Sequence, residues 1–357
     1  MLKLSAVCIA ALMLLQSPAS IAQSGPAASQ SPIDAASRAQ LVDALVRELN
    51  AGYVFPDVAK KIEVSLREKQ QRGDYDRAVD ADGLATLLTT DIQAISRDRH
   101  MRVRFNATPA PPRPSGPRAA PTAEDEARFQ ARAKETNYGL GKVETLPGNI
   151  GYLETKGFGP LRYVDKAFTA AMTQLADSDA LIIDLRGNGG GSPESVAYLS
   201  SYLFDKRTHL NDLYFRAGNE TEEFWTTEAV PGKKYGQQKP VYVLTGPKTF
   251  SGGEEFCYNL QQLKRATLIG ETTGGGANPG GVRQLSPHFT VFVPGGRAIN
   301  PISKTNWEGT GVTPDVKVAA ADALVSAQKI ALEKLAADER DPQKAQLLRT
   351  RLAELSK

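Results

Sequence analysis

The stretch ALIIDLRGNGGGSP, running from Ala180 to Pro193, decides how this chain folds. Ala180 to Leu185 is an almost unbroken apolar run, the texture of a strand buried on both faces. Gly187 and the consecutive Gly189, Gly190 and Gly191 then let the backbone turn sharply, and Pro193 suits the first turn of a following helix. Strand, glycine loop and helix open a βα unit, and the texture recurs on both sides. Strands are predicted at 150–154, 180–185, 241–245, 267–270 and 289–293, with helices at 163–176, 193–204 and 252–264. This alternation predicts an α/β layer with a mostly parallel sheet over residues 136–320.

Upstream, residues 37–105 read as a small domain of three amphipathic helices. Leu41, Leu45 and Leu49 share one face; Val58, Ile62 and Leu66 another; Leu84, Leu88 and Ile92 a third. An extended run from Met101 to Phe105 follows. Residues 106–135 begin Pro- and Ala-rich and read as a linker or lid. Residues 321–357 read as two charged helices packed on the outside. At the start, Lys3, the apolar Leu4 to Leu15 and a small-residue end at Ala22 predict a cleavable signal over 1–22. Residues 23–36 would form a disordered leader. The expected location is outside the cytoplasm, in a bacterial periplasm.

Composition narrows the function. The 357 residues suit one large domain or two modest ones. With 43 Lys and Arg against 40 Asp and Glu, no basic excess favours nucleic acid. Beyond the first segment no apolar run nears the ~20 residues that cross a bilayer. The two cysteines, Cys8 and Cys257, make neither a disulfide framework nor a thiolate metal cluster.

Two loops follow buried strands, where α/β sheets place their sites. The first is the glycine loop, able to turn N–H groups toward one anionic point. The second is Thr249-Phe250-Ser251-Gly252-Gly253-Glu254, in which Ser251 would sit at a helix N-terminus. The pair Ser251 and Glu254 also fits a plain capping box, so the serine has a structural reading as well. A serine nucleophile needs a base, and the histidines are three: His100, His209 and His288. No histidine spacing suggests a metal, and no cofactor is expected. Glu308 lies between Trp307 and Gly309, where on spacing alone a solvated turn is the plainer reading.

These segments, in this order, resemble the tail-specific (C-terminal processing) serine peptidases. The likeness rests on Ile183 to Gly191, Thr249 to Glu254, Gly270 to Gly276, and Glu308 to Asp315. The helical region, with Tyr53-Val54-Phe55-Pro56 and Asp98-Arg99-His100, is similar to the interphotoreceptor-retinoid-binding-protein-like branch. The resemblance implies a crotonase/ClpP-like α/β core behind the helical domain, and a secreted peptidase acting on peptides or proteins. It implies Ser251 as nucleophile, with Gly189, Gly190 and Gly252 forming the oxyanion hole. Two features depart from the processing peptidases. Gly276 stands where their lysine base would be, and too few residues separate His100 from Ile150 for a PDZ module. The resemblance to tricorn-type relatives then implies His100 as base and Glu308 as its support. The retinoid-binding namesake implies an alternative, a carrier of lipophilic ligands on the same scaffold.

Overall fold

The computed structural model describes residues 33–110 and 122–355. The expected signal, most of the leader and the centre of the Pro-rich stretch lie outside the described residues. In chain order the elements are α1 (Ala35–Gly52), α2 (Pro56–Gln71), α3 (Ala81–Ser96), β1 (Val103–Phe105), α4 (Ala123–Glu135), β2 (Leu140–Leu146) and β3 (Ile150–Thr155). There follow α5 (Leu161–Leu175), β4 (Ala180–Asp184), α6 (Pro193–Ser201), β5 (His209–Phe215), β6 (Glu220–Trp225), β7 (Val241–Thr245), α7 (Gly252–Gln262) and β8 (Thr267–Gly270). The last are β9 (Gly280–Gln284), β10 (Phe289–Pro294), β11 (Gly296–Ile299), β12 (Val316–Lys317), α8 (Ala323–Asp338) and α9 (Pro342–Glu354).

The main sheet has the order β12-β8-β7-β4-β3-β2. Every neighbouring pair is parallel except the edge pair β2 and β3. Every residue of β4 and β7 is buried, which explains their continuous apolar reading. Alternate side chains serve opposite layers. Leu181, Ile183 and Val243 pack against Phe168 of α5, Val196 of α6 and Phe256 of α7. Ile182, Tyr242 and Leu244 pack against Ala323, Ala327 and Ala331 of α8. Each fully buried aliphatic side chain contributes about 1.5–3 kcal/mol of transfer free energy.

The sequence reading placed the C-terminal helices outside; α8 is instead one of the two layers that cover the sheet. Its small alanines at four-residue spacing give a weak apolar stripe, yet they let the helix approach the strands closely.

A second correction concerns the segment 289–293, read as part of the parallel layer. It forms β10, in a separate antiparallel sheet of order β1-β10-β9, with Val103 opposite Val291. Phe289, Val291 and Val293 share one face, and that face joins the core of α1, α2 and α3. The helical region is thereby fastened to the core by a strand pair, and His100 lies just before that strand. Segment β5–β6, with no sequence expectation attached, pairs with β11 in a third sheet. After the Pro-rich stretch, α4 docks on α5, where Glu126 meets Arg162 and Tyr163.

Candidate active site

The loops after β4 and β7 are neighbours because those strands pair directly. Thr249 holds them together: its Oγ1 donates to the Leu185 carbonyl at 2.7 Å and accepts from the Gly246 N–H. The Phe250 N–H donates to the Asn188 carbonyl at 2.9 Å. The turn from β7 into α7 is sharp, and it places Ser251 at φ 53°. A non-glycine residue with positive φ at a strand-to-helix turn is strained, and such strain concentrates at functional sites. Glu254, fully buried, accepts the Ser251 N–H at 2.8 Å. The same carboxylate accepts the N–H groups of Gly275 and Gly276 and the Thr273 hydroxyl. It therefore ties the serine turn to the second glycine run. Burial pushes its pKa up, while these four donors pull it back.

Ser251 and His100 line one cleft of about 430 Å3, with Gly189, Gly191, Gly252, Glu255, Phe250 and Phe292 among its walls. The tertiary fold brings them together across the helical region and the core. Neither His209 nor His288 lines that cleft. His209 stacks on Trp225 and meets Asp212 at 2.6 Å, while His288 pairs with the Asn106 carbonyl. The His100 ring lies between Phe250 and Phe292, with centroids at 4.6 and 5.5 Å. Burial, helped by the charge of Arg102, holds its pKa down at about 4, so it is neutral at pH 7. Its Nδ1 is buried without a hydrogen-bond partner. No hydrogen bond joins the His100 ring to Ser251 Oγ among the described residues; unliganded sites often have these contacts long.

Sequence reasoning missed Asp98 as a part of this site. It is fully buried and accepts from Asn278 Nδ2 at 2.8 Å and from the His100 N–H at 3.1 Å. Arg97, the C-cap of α3, takes a left-handed conformation that turns the chain to place Asp98 and His100. A charged Asp-Arg-His string gives no hint that one member is buried; the turn decides it. Glu308 accepts the N–H groups of Arg99 at 3.3 Å, Ala277 at 2.6 Å and Asn278 at 3.0 Å. Its carboxylate thus clamps the histidine segment to the second glycine run, and it makes no bond to the imidazole. Burial and the neighbouring Asp98 charge push the Glu308 pKa up to about 7. Donor atoms of Asp98, His100 and Glu308 lie within 4.8 Å of one another. Both carboxylates are already engaged with N–H donors, so this cluster is built as a hydrogen-bonded support.

The glycine loop divides its roles. The Gly190 N–H donates to Asn188 Oδ1 at 2.8 Å, and the Gly189 N–H meets the Lys156 carbonyl at 3.4 Å. A Cβ on Gly190 would come within 2.8 Å of Ser251 Cβ, so this residue is glycine for closeness. The N–H groups of Gly191 and Gly252 donate to no hydrogen bond among the described residues. They also lie close: a Cβ on Gly252 would meet the Gly191 nitrogen at 3.0 Å. At Gly276 a Cβ would lie 2.3 Å from Phe250 Cζ and 2.7 Å from His100 Cε1. The Phe250 ring and His100 fill the space that a lysine at this position would need.

In sequence the chain is similar to peptidases. Residues 149–318 match the sequence model described as Peptidase family S41. Residues 35–136 match the N-terminal domain of Peptidase_S41 in eukaryotic IRBP. Carboxyl-terminal-processing peptidase 1, chloroplastic, of Arabidopsis thaliana is 28% identical over 51% of this chain and 36% of its own length. Carboxy-terminal processing protease CtpA of Bacillus subtilis is 31% identical over 37% of this chain and 27% of its own. The chain thus spans about a third of the length of these relatives. A solved structure from Parabacteroides merdae shares the fold at TM-score 0.52 and 19% identity, covering 79% of this chain and 90% of that one. A lipoprotein from Streptococcus agalactiae does so at TM-score 0.51 and 14% identity, covering 83% and 96%. No helix among the described residues is long and apolar enough to cross a membrane.

Proposed function

We propose that this chain is a secreted serine peptidase in which Ser251 attacks the scissile carbonyl of a peptide or protein. The observation that carries this reading is the strained Ser251 at the N-terminus of α7, in one cleft with a neutral His100 and the unengaged N–H groups of Gly191 and Gly252. His100 takes the serine proton and returns it to the leaving amine. Gly191 and Gly252 hold the oxyanion; Gly189 lines the cleft beside them, and Gly190 allows the close approach. A donor of this kind is worth about 3–4 kcal/mol of transition-state stabilisation. Glu308 and Asp98 act as positioning residues, holding the backbone on either side of His100. The apolar start of the chain supports export, with the periplasm as the working compartment.

The test is labelling with a serine-reactive fluorophosphonate. Wild type should label, and Ser251→Ala and His100→Ala should not. One observation favours the second reading, a carrier of lipophilic ligands: Leu213, Phe250, Phe292, Ala298 and Trp307 make much of the cleft wall apolar. Absence of labelling in folded wild type would put that reading first.

A further inference from the structure

Glu255 is not used by the mechanism above, yet it lines the same cleft. It follows Ser251 by four residues on α7, which places it one turn along the helix, about 6 Å away in rise. It is 5% exposed, and its Oε1 has no hydrogen-bond partner. Its neighbours leave it equally unserved. The side chain of Asn211, on β5, is beside it and close enough to pull the carboxyl's pKa back down, yet neither polar atom of that fully buried amide completes a hydrogen bond. Asn259, one further turn along α7, has its Nδ2 unpartnered. Buried polar groups are normally satisfied, so a carboxyl with an unpartnered oxygen on the wall of a cleft marks a place where a ligand supplies the partner.

The ionisable side chains on the cleft wall are His100 and Glu255, and no Lys or Arg among the wall residues neutralises the carboxyl. Burial pushes it up to about 8 against the pull of the Asn211 amide, helped by the charge of Glu194. Much of the rest of the cleft wall is apolar, Leu213, Phe250 and Trp307 among it. Such walls suit the methylene stem of a long side chain with a charged tip.

We propose that Glu255 is the specificity residue of the cleft, receiving a lysine or arginine side chain from the residue whose carbonyl Ser251 attacks. The cationic tip pairs with the carboxylate, and the proton held in the unliganded cleft leaves to water. A guanidinium matches the two oxygens bidentately, so arginine is favoured over lysine. The adjacent Glu254 shows the contrast: its oxygens accept four donors from the protein itself and leave nothing for a substrate.

This subsite rests on the peptidase reading for its place in catalysis, and the experiment separates the two. Benzamidine, which carries the amidinium of an arginine tip, is titrated by calorimetry into wild type, Ser251→Ala and Glu255→Gln. Saturable binding to the first two, weakened at least tenfold in Glu255→Gln, is expected. No saturable binding to wild type, or equal binding to Glu255→Gln, overturns the proposal. In parallel, peptides differing only at the attacked residue (Arg, Lys, Leu or Glu) are compared. The ratio of kcat/KM for Arg over Leu should fall at least tenfold in Glu255→Gln and stay partly in Glu255→Asp; an unchanged ratio overturns it. If Glu255→Gln fails to fold, wild type alone decides, since binding without an Arg or Lys preference also overturns it. Benzamidine binding in a protein that no fluorophosphonate labels would keep the subsite and remove the peptidase. Labelling without benzamidine binding would do the reverse.

Discussion

Two carboxylates stand near the cleft, Glu255 buried on its wall and Glu308 half-buried beside His100, and the protein treats them differently. Glu308 is surrounded by donors: three backbone N–H groups from two segments end on it. Glu255, near Ser251, has an oxygen with no partner and an amide neighbour equally unpaired. Burial raises the pKa of both. Saturation turns the first into a structural clamp that fixes where His100 sits. Want of a partner turns the second into a receptor. Burial of a charge-bearing group is therefore ambiguous until its donors are accounted for.

The sharpest break would come from the nucleophile. Ser251→Ala should lower hydrolysis on the order of 10^4-fold or more without moving the melting temperature. Retained turnover would make the whole comparison irrelevant to catalysis. Next in size is the clamp. Glu308→Ala leaves the N–H groups of Arg99, Ala277 and Asn278 without their acceptor; Arg99 is exposed and can turn to water, while the buried Ala277 and Asn278 each cost about 1–3 kcal/mol if left unpaired. Urea denaturation should show that loss, together with a fall in labelling rate as His100 loses its seat. Unchanged stability would mean that water replaces the carboxylate.

Gly276→Ala probes the same clamp from the other side. Its Cβ would collide with Phe250 and His100, at an overpacking cost of about 1–3 kcal/mol, and labelling should slow. A variant as fast as wild type would show that the ring can move. Smaller effects concern pH. Because His100 is held down at about 4, the acid limb of the labelling rate should lie well below pH 6.5. A midpoint near 6.5 would show the ring to be solvated. For Glu255 the folded pKa is raised, so the native state keeps a proton that the unfolded chain has released. Its contribution to stability is therefore present below the unfolded value near 4.5 and is lost as pH rises through about 8. Denaturation midpoints of wild type should drop from pH 7 to 9 more than those of Glu255→Gln. Parallel curves would remove the contrast between the two carboxylates.

Local pattern made much of this readable before any coordinates. The apolar runs of β4 and β7 and the three helical stripes announce their elements, because burial on both faces or along one stripe writes a period into the sequence. The glycine loop and the Ser251 turn were legible for the same reason: close backbone approach excludes a Cβ, and only glycine has none. Weak stripes hid other parts. The alanines of α8 look like surface helix but cover a sheet face, and the alternation in β10 is equally consistent with either sheet.

What each residue type can do was thus set in the linear chain: a serine ahead of two glycines, a histidine after a charged turn, paired glutamates at 254 and 255. Tertiary structure decided which of them share a cleft and which donors each receives. His100 shares a cleft with Ser251 because β1 pairs with β10 and carries the helical region onto the core. Glu254 and Glu255 are one residue apart and differ in fate because one points at the N–H groups of a glycine run and the other lies on the cleft wall beside the Asn211 amide. Hydrogen-bond supply is a property of the space around a side chain, and no spacing along the chain records it.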